Sequence, residues 1–106
     1  DDFAVDEEAE IDLPAQVVRG PLVVRSWRAG DVILVRSLSK SLKRFLPEIG
    51  VERQYRSLVP VVEDADGLLA VVGSVVGGST AFADRAVEGA KNSWATVAIR
   101  FRTAIG

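Results

Sequence analysis

LVVRSWRAGDVILVRSLSKSLKRFLPEIGVERQYRSLVPVV, residues 22–62, is the stretch whose reading decides the fold. Leu22–Trp27 alternates as a strand, with Leu22, Val24 and Ser26 on one face and Val23, Arg25 and Trp27 on the other. Arg28-Ala29-Gly30-Asp31 is a turn, and Val32–Arg36 returns as a second strand. Its four consecutive apolar residues predict cover on both faces. A helix is then expected, because Leu38, Leu42, Phe45 and Leu46 fall within about a third of the helical circumference while Lys40, Lys43 and Arg44 lie opposite. Ser37 or Ser39 can cap it, and Pro47 disfavours helical geometry at Leu46, which limits it to about two turns. After Gly50 a second short helix is expected on Val51, Tyr55 and Leu58. Arg53 and Arg56 project together from it, and Glu52 can pair with Arg56.

On the C-terminal side, Val59–Glu63 and Leu68–Gly73 flank Asp64-Ala65-Asp66-Gly67, which predicts a β-hairpin. That turn lacks the further carboxylates and the distal glutamate of a calcium loop. Gly77-Gly78-Ser79-Thr80 lacks the lysine and spacing of a phosphate loop and reads as a flexible turn. A helix over Thr80–Lys91 is expected to follow, with Phe82, Ala86 and Ala90 on one side. Trp94–Arg102 closes the chain as a strand that turns Val97, Ile99 and Phe101 inward and Arg100 and Arg102 outward. On the N-terminal side a β-region begins at Ile11, with Gln16–Arg19 as a short strand before Gly20-Pro21. Residues 1–10 are dense in carboxylates and read as an acidic leader or linker ahead of one domain over 11–106. The expected fold class is α+β: small antiparallel sheets in a sandwich-like arrangement with two short helices, as a single domain.

At 106 residues, 48% hydrophobic and 26% charged, the composition is that of one globular domain. With no cysteine and no histidine, a disulfide framework, a zinc site and the commonest general base near neutral pH are all missing. No long apolar run or signal segment is visible, so a cytoplasmic setting is expected, with no membrane or metal partner. The chain opens DDFAV and contains no methionine, so it is expected to be a piece of a longer protein. The formal charge of −2 conceals a strong asymmetry. Residues 1–18 hold seven acids and no base, while residues 19–56 hold nine bases against three acids, a local net of +6. A polyanion would meet the middle third of the chain as a positive field.

The ordered parts of this middle third resemble the C-terminal domain of tRNA(Ile)-lysidine synthase. The resemblance rests on Leu22-Val23-Val24-Arg25-Ser26-Trp27-Arg28-Ala29-Gly30-Asp31, then Lys40-Ser41-Leu42-Lys43-Arg44-Phe45-Leu46. It continues through Val51-Glu52-Arg53-Gln54-Tyr55-Arg56-Ser57-Leu58-Val59-Pro60, the Asp66-Gly67 turn and Val71-Val72-Gly73. The sequence departs from the family pattern at Val32, where an arginine is usual, and at Val35–Ser39, where the approach to the lysine helix is glycine-rich. It departs again at Ser41, at Ser74-Val75-Val76 and in the alanine-rich stretch 81–90.

The resemblance implies a fold similar to a domain of the phenylalanyl-tRNA synthetase β chain. It also implies a bacterial parent that uses ATP to ligate lysine to a tRNA, in a preceding catalytic domain acting in cis. The phosphate loop of that catalytic domain is absent from this sequence, so the fragment itself is expected to bind rather than catalyse, with no cofactor of its own. Its implied role is to hold the tRNA, with the acceptor stem as the contact.

The residues support a nucleic-acid reading independently. Lys40, Lys43, Arg44, Arg53 and Arg56, with Arg25, Trp27 and Arg28 nearby, make a compact cationic array suited to phosphates. Duplex RNA is read mainly through shape, phosphates and 2′-hydroxyls, which suits a rigid basic patch. Taken singly, each of these cations is equally at home on the solvated face of an amphipathic helix. The competing class is therefore a structural or protein-interaction domain of the same fold. Trp27 and Trp94 are expected at or near the core, with Trp27, between Arg25 and Arg28, as the base-stacking candidate. No nucleophile is paired with a base, and Asp64 and Asp66 are expected in an exposed turn where nothing raises a carboxyl pKa for acid catalysis.

Overall fold

The computed structural model describes residues 8–102. Antiparallel pairing dominates. A four-stranded sheet has the order β2-β5-β6-β7, built from β2 (Val23–Ser26), β5 (Pro60–Asp64), β6 (Gly67–Val72) and β7 (Thr80–Phe82). β3 (Val32–Val35) and β4 (Leu38–Ser41) form a hairpin, and β1 (Glu8–Pro14) pairs with β8 (Thr96–Arg102). Two short helices, α1 (Leu42–Glu48) and α2 (Asp84–Ala90), complete the α+β domain expected from the sequence.

The central hairpin is the best-buried part. Val61 and Val62 of β5 and Leu69 to Val72 of β6 are all fully buried. Consecutive strand residues point to opposite faces, so both faces of this hairpin are covered. Leu13 of β1, Ile33 of β3, and Leu42 and Leu46 of α1 join the same core from three other places in the chain. The hairpin turn is Ala65-Asp66, closed by the Asp64–Gly67 pair, as its sequence signal predicts.

Asp64 closes this turn with a fully buried carboxylate. It accepts the Arg19 and Asp66 N–H groups at 2.8 and 2.9 Å. Arg85 of α2 reaches it with both terminal guanidinium nitrogens, at 2.9 and 2.6 Å, and also donates to the carbonyls of Val17 and Gly67. One ion pair thereby ties two separate segments, Val17–Arg19 and α2, to the turn of the central hairpin. The turn carboxylate expected to be exposed is instead a structural anchor.

Several local expectations give way to pairing. β1 starts at Glu8, so three residues of the expected leader belong to a strand, while the rest of that leader lies outside the described residues. The expected strand at 16–19 is replaced by a 3-10 turn over Ala15–Val17. The residues from Leu38 to Ser41 are strand rather than helix, because they pair with β3 across a tight turn at Arg36-Ser37. Leu38 is therefore 59% exposed instead of lining a helix face. β3 is covered on one face only: Ile33 is buried, but Val32 and Leu34 are each about half exposed. The second expected helix is a 3-10 helix over Arg53–Leu58. The expected long helix after residue 80 divides into β7, which pairs with β6, and α2.

Two glycines set local geometry. Gly50 takes φ +81° after α1; its N–H donates to Pro47 and that of Val51 to Leu46, both at 3.1 Å. This is the Schellman ending that closes a helix through a left-handed residue. Gly78 lies against the Ile49–Gly50 backbone, where a Cβ would sit 2.7 Å from the Ile49 carbonyl oxygen. The step read as a flexible turn is thus packed against the end of α1, and the Ser79 N–H donates to Ile49 at 2.7 Å. The Arg36-Ser37 turn is strained, since both residues hold positive φ, +52° and +66°. Non-glycine residues adopt this region at a cost of roughly 1–2 kcal/mol each.

Arg85 and the two backbone donors hold the Asp64 carboxyl at about 2, below its ordinary 3.8, against the opposing effect of burial. A depressed carboxyl pKa stabilises the fold above the unfolded value and loses that contribution as pH falls through the folded one. The expected loss is about 2 kcal/mol between pH 4 and pH 2. Urea unfolding across that window should show it in the wild type, and Asp64→Ala should flatten the dependence.

Candidate nucleic-acid interface

The eight cationic and aromatic residues singled out in the sequence lie on elements joined at one place, the turn over residues 28–31. Asp31 organises it. Its carboxylate accepts the Arg28 N–H at 2.8 Å, and its backbone carbonyl accepts the Leu42 N–H at 3.0 Å, which fixes the start of α1. The Trp27 indole donates to the Arg56 carbonyl at 2.6 Å, and the Trp27 N–H to that of Val59 at 3.4 Å. These bonds tie the same turn to the 3-10 helix. Leu42, Phe45 and Leu46 bury one side of α1, which leaves Lys43 and Arg44 exposed on the other.

The structure separates these residues into engaged and available groups. Arg25 is engaged: it donates to both oxygens of Asp31 at 2.9 Å and to Glu63 of β5. These hydrogen bonds, Asp31 first and Glu63 second, raise the Arg25 pKa. The same guanidinium is the main cause holding the Asp31 carboxyl below its usual value, with help from the Arg28 N–H. Arg25 thus cross-links β2, β5 and the turn, and it could reach a phosphate only by giving up two carboxylates.

Lys40 stands on β4 rather than on a helix, and its ammonium lies 3.3 Å from Glu48. Arg56 is half-buried, and its Nε is buried without a hydrogen-bond partner among the described residues. Glu52, expected to pair with Arg56, instead accepts from Gln54. Arg28, Lys43, Arg44 and Arg53 are exposed and make no ion pair among the described residues.

Of the two tryptophans expected at or near the core, Trp27 lies there and Trp94 does not. Trp27 packs against the core with its N–H satisfied, so it orders the turn rather than offering an open face. Trp94 is 96% exposed, not at the core edge. It lies before β8, which begins only at Thr96, and nothing in the local alternation fixes its side. Arg36 was not among the candidate residues. Its one signal in the sequence was an arginine followed by serine at the end of an apolar run, where a tight turn would present it. Among the described residues no three His, Cys, Asp or Glu side chains gather as a metal site, and no helix is long and apolar enough to cross a membrane.

The fold is thus a small α+β domain of antiparallel sheets and two short helices. Residues 22–94 match the family model described as the TilS substrate C-terminal domain, and the chain belongs to that family. The match is to a C-terminal domain rather than to a catalytic one. A tRNA(Ile)-lysidine synthase of Clostridioides difficile (strain 630) is 33% identical over 54 residues, 51% of this chain but 12% of that protein. The chain therefore corresponds to a small part of that relative's length. A solved structure described as "Crystal structure of TILS C-terminal domain" superposes with a TM-score of 0.60 at 24% identity, covering 92% of this chain and 71% of that one.

The two groups of cations should respond differently to mutation. Arg25→Ala leaves two partly buried carboxylates unpaired and is expected to cost roughly 2–3 kcal/mol in urea unfolding. Lys43→Ala and Arg44→Ala, on an exposed helix face, are expected to stay within about 0.5 kcal/mol of wild type.

Proposed function

We propose that this chain is a tRNA-docking accessory domain of a tRNA-modifying ligase of the tRNA(Ile)-lysidine synthase type. It binds the acceptor stem through a cationic surface centred on Arg28, Lys43, Arg44 and Arg53, with Arg56 at its edge. The observation that carries this reading is that these four exposed side chains have no carboxylate partner among the described residues, although the chain as a whole is acidic. A set of unpaired cations on joined, well-ordered elements offers point charges and guanidinium forks to phosphates with little reorganisation. Membership of a family described as a substrate domain supports the same reading.

In this reading the chemistry belongs to a catalytic domain in cis, which is also where ATP binds, and the whole acts in the cytoplasm. Lys40 and Arg25 belong to the frame beneath the surface, and Trp27 holds the turn that presents Arg28. The competing role is a protein-interaction domain of the same fold, and it gives the opposite result in the test.

Fluorescence anisotropy with a tRNA transcript over a series of salt concentrations distinguishes the two. With about four phosphate contacts, log K against log salt should fall with a slope of roughly −3 to −4. The double charge reversal Lys43→Glu with Arg44→Glu should weaken binding by more than tenfold without unfolding the domain. No binding at low salt, or binding indifferent to the reversal, would favour the protein-interaction role.

A further inference from the structure

The β3–β4 hairpin turns through Arg36 and Ser37, closed by the Val35–Leu38 pair. Both turn residues are left-handed, as a type I′ turn requires, and glycine or asparagine takes that conformation with less conflict. Arginine and serine persist there only where the surroundings hold them. The holder is Asp84, the first residue of α2. One of its carboxylate oxygens accepts the Arg36 N–H and the other accepts the Ser37 N–H, each at 2.7 Å.

A carboxylate from a distant element therefore occupies both backbone donors of the turn. The Arg36 guanidinium stays exposed and makes no ion pair among the described residues. It stands at a cleft of about 430 Å³ whose other walls include Lys40, Phe45, Glu48, Thr80 and Phe82.

We propose that Arg36 is a further phosphate-contacting residue, a fixed cationic finger that grips an RNA backbone phosphate beside this cleft. Asp84 is its positioning residue. The inference rests on the RNA-docking reading and extends it from α1 and the 3-10 helix to the tip of the β3–β4 hairpin. A long side chain on a locked turn loses less freedom on binding than one on a free loop, so it contributes more per contact. Asp84 brings a negative charge close to the RNA. That charge is engaged by two N–H groups, and its contribution is geometric.

The test uses the same labelled tRNA transcript. Arg36→Gly should weaken binding by roughly three- to tenfold and reduce the steepness of the salt slope by about one. Its melting temperature should be no lower than that of the wild type, because glycine relaxes the turn. Asp84→Ala raises the net charge by one, so a diffuse attraction would tighten binding. A positioned finger predicts weaker binding instead, measured below the variant's own melting temperature. Wild-type affinity in Arg36→Gly, or tighter binding in Asp84→Ala, overturns this inference even if the Lys43→Glu, Arg44→Glu variant loses RNA. If the wild-type domain binds no RNA, the docking reading fails and this inference with it.

Discussion

The Asp31 junction is the constraint on which the arrangement of the surface depends. Its carboxylate holds Arg25 and the Arg28 N–H, while its carbonyl receives the first N–H of α1. The carboxylate's hydrogen bonds are charge-assisted, short and directional, and together with the neutral carbonyl bond they join β2, the turn and α1. The junction consumes one arginine and leaves its neighbours free. Arg28 extends from the same turn, and Lys43 and Arg44 follow on the helix that the turn starts. Within residues 19–56 Arg25 is thus a structural cation, while Arg28, Lys43, Arg44 and Arg53 are exposed without an ion pair among the described residues.

The scaffold beneath it follows a similar rule. Among the described residues Asp64 is the only buried carboxylate, and Arg85 with two backbone donors satisfies it fully. A buried ion pair of this geometry adds less net stability than its attraction suggests, because both groups lose water. What it fixes is register: the hairpin turn, the segment at Val17–Arg19 and α2 can meet in only one way. α2 in turn delivers Asp84 to the tip of the β3–β4 hairpin. A chain of carboxylates thus connects the core to the positions of exposed cations at its edge.

Much of this was legible in the sequence, for identifiable reasons. The β5–β6 hairpin follows from apolar runs on either side of Asp-Ala-Asp-Gly, and the inward face of β8 from the alternation of Val97, Ile99 and Phe101. The exposure of Lys43 and Arg44 follows from Leu42, Phe45 and Leu46. What failed was local periodicity where tertiary pairing overrides it. Leu38 sits four residues before Leu42 and completes a helical stripe on paper, yet β3 claims it through backbone pairing. The turn that permits this, at Arg36-Ser37, carries no glycine, so the usual hairpin signal was missing. The sequence named candidate cations, but not which of them the fold pairs and which it leaves exposed. Whether an arginine faces a phosphate or two carboxylates depends on Asp31 and Glu63, which are six and 38 residues away from Arg25.

The most direct measurement is a ¹H–¹⁵N titration of the domain with a short RNA hairpin representing an acceptor stem. Amide shift changes are expected to concentrate at residues 28–31, 42–46 and 51–56 and to fade as salt is raised, with the β1–β8 pair unaffected. Changes confined to the β1–β8 pair and Trp94, or none at low salt, would contradict it.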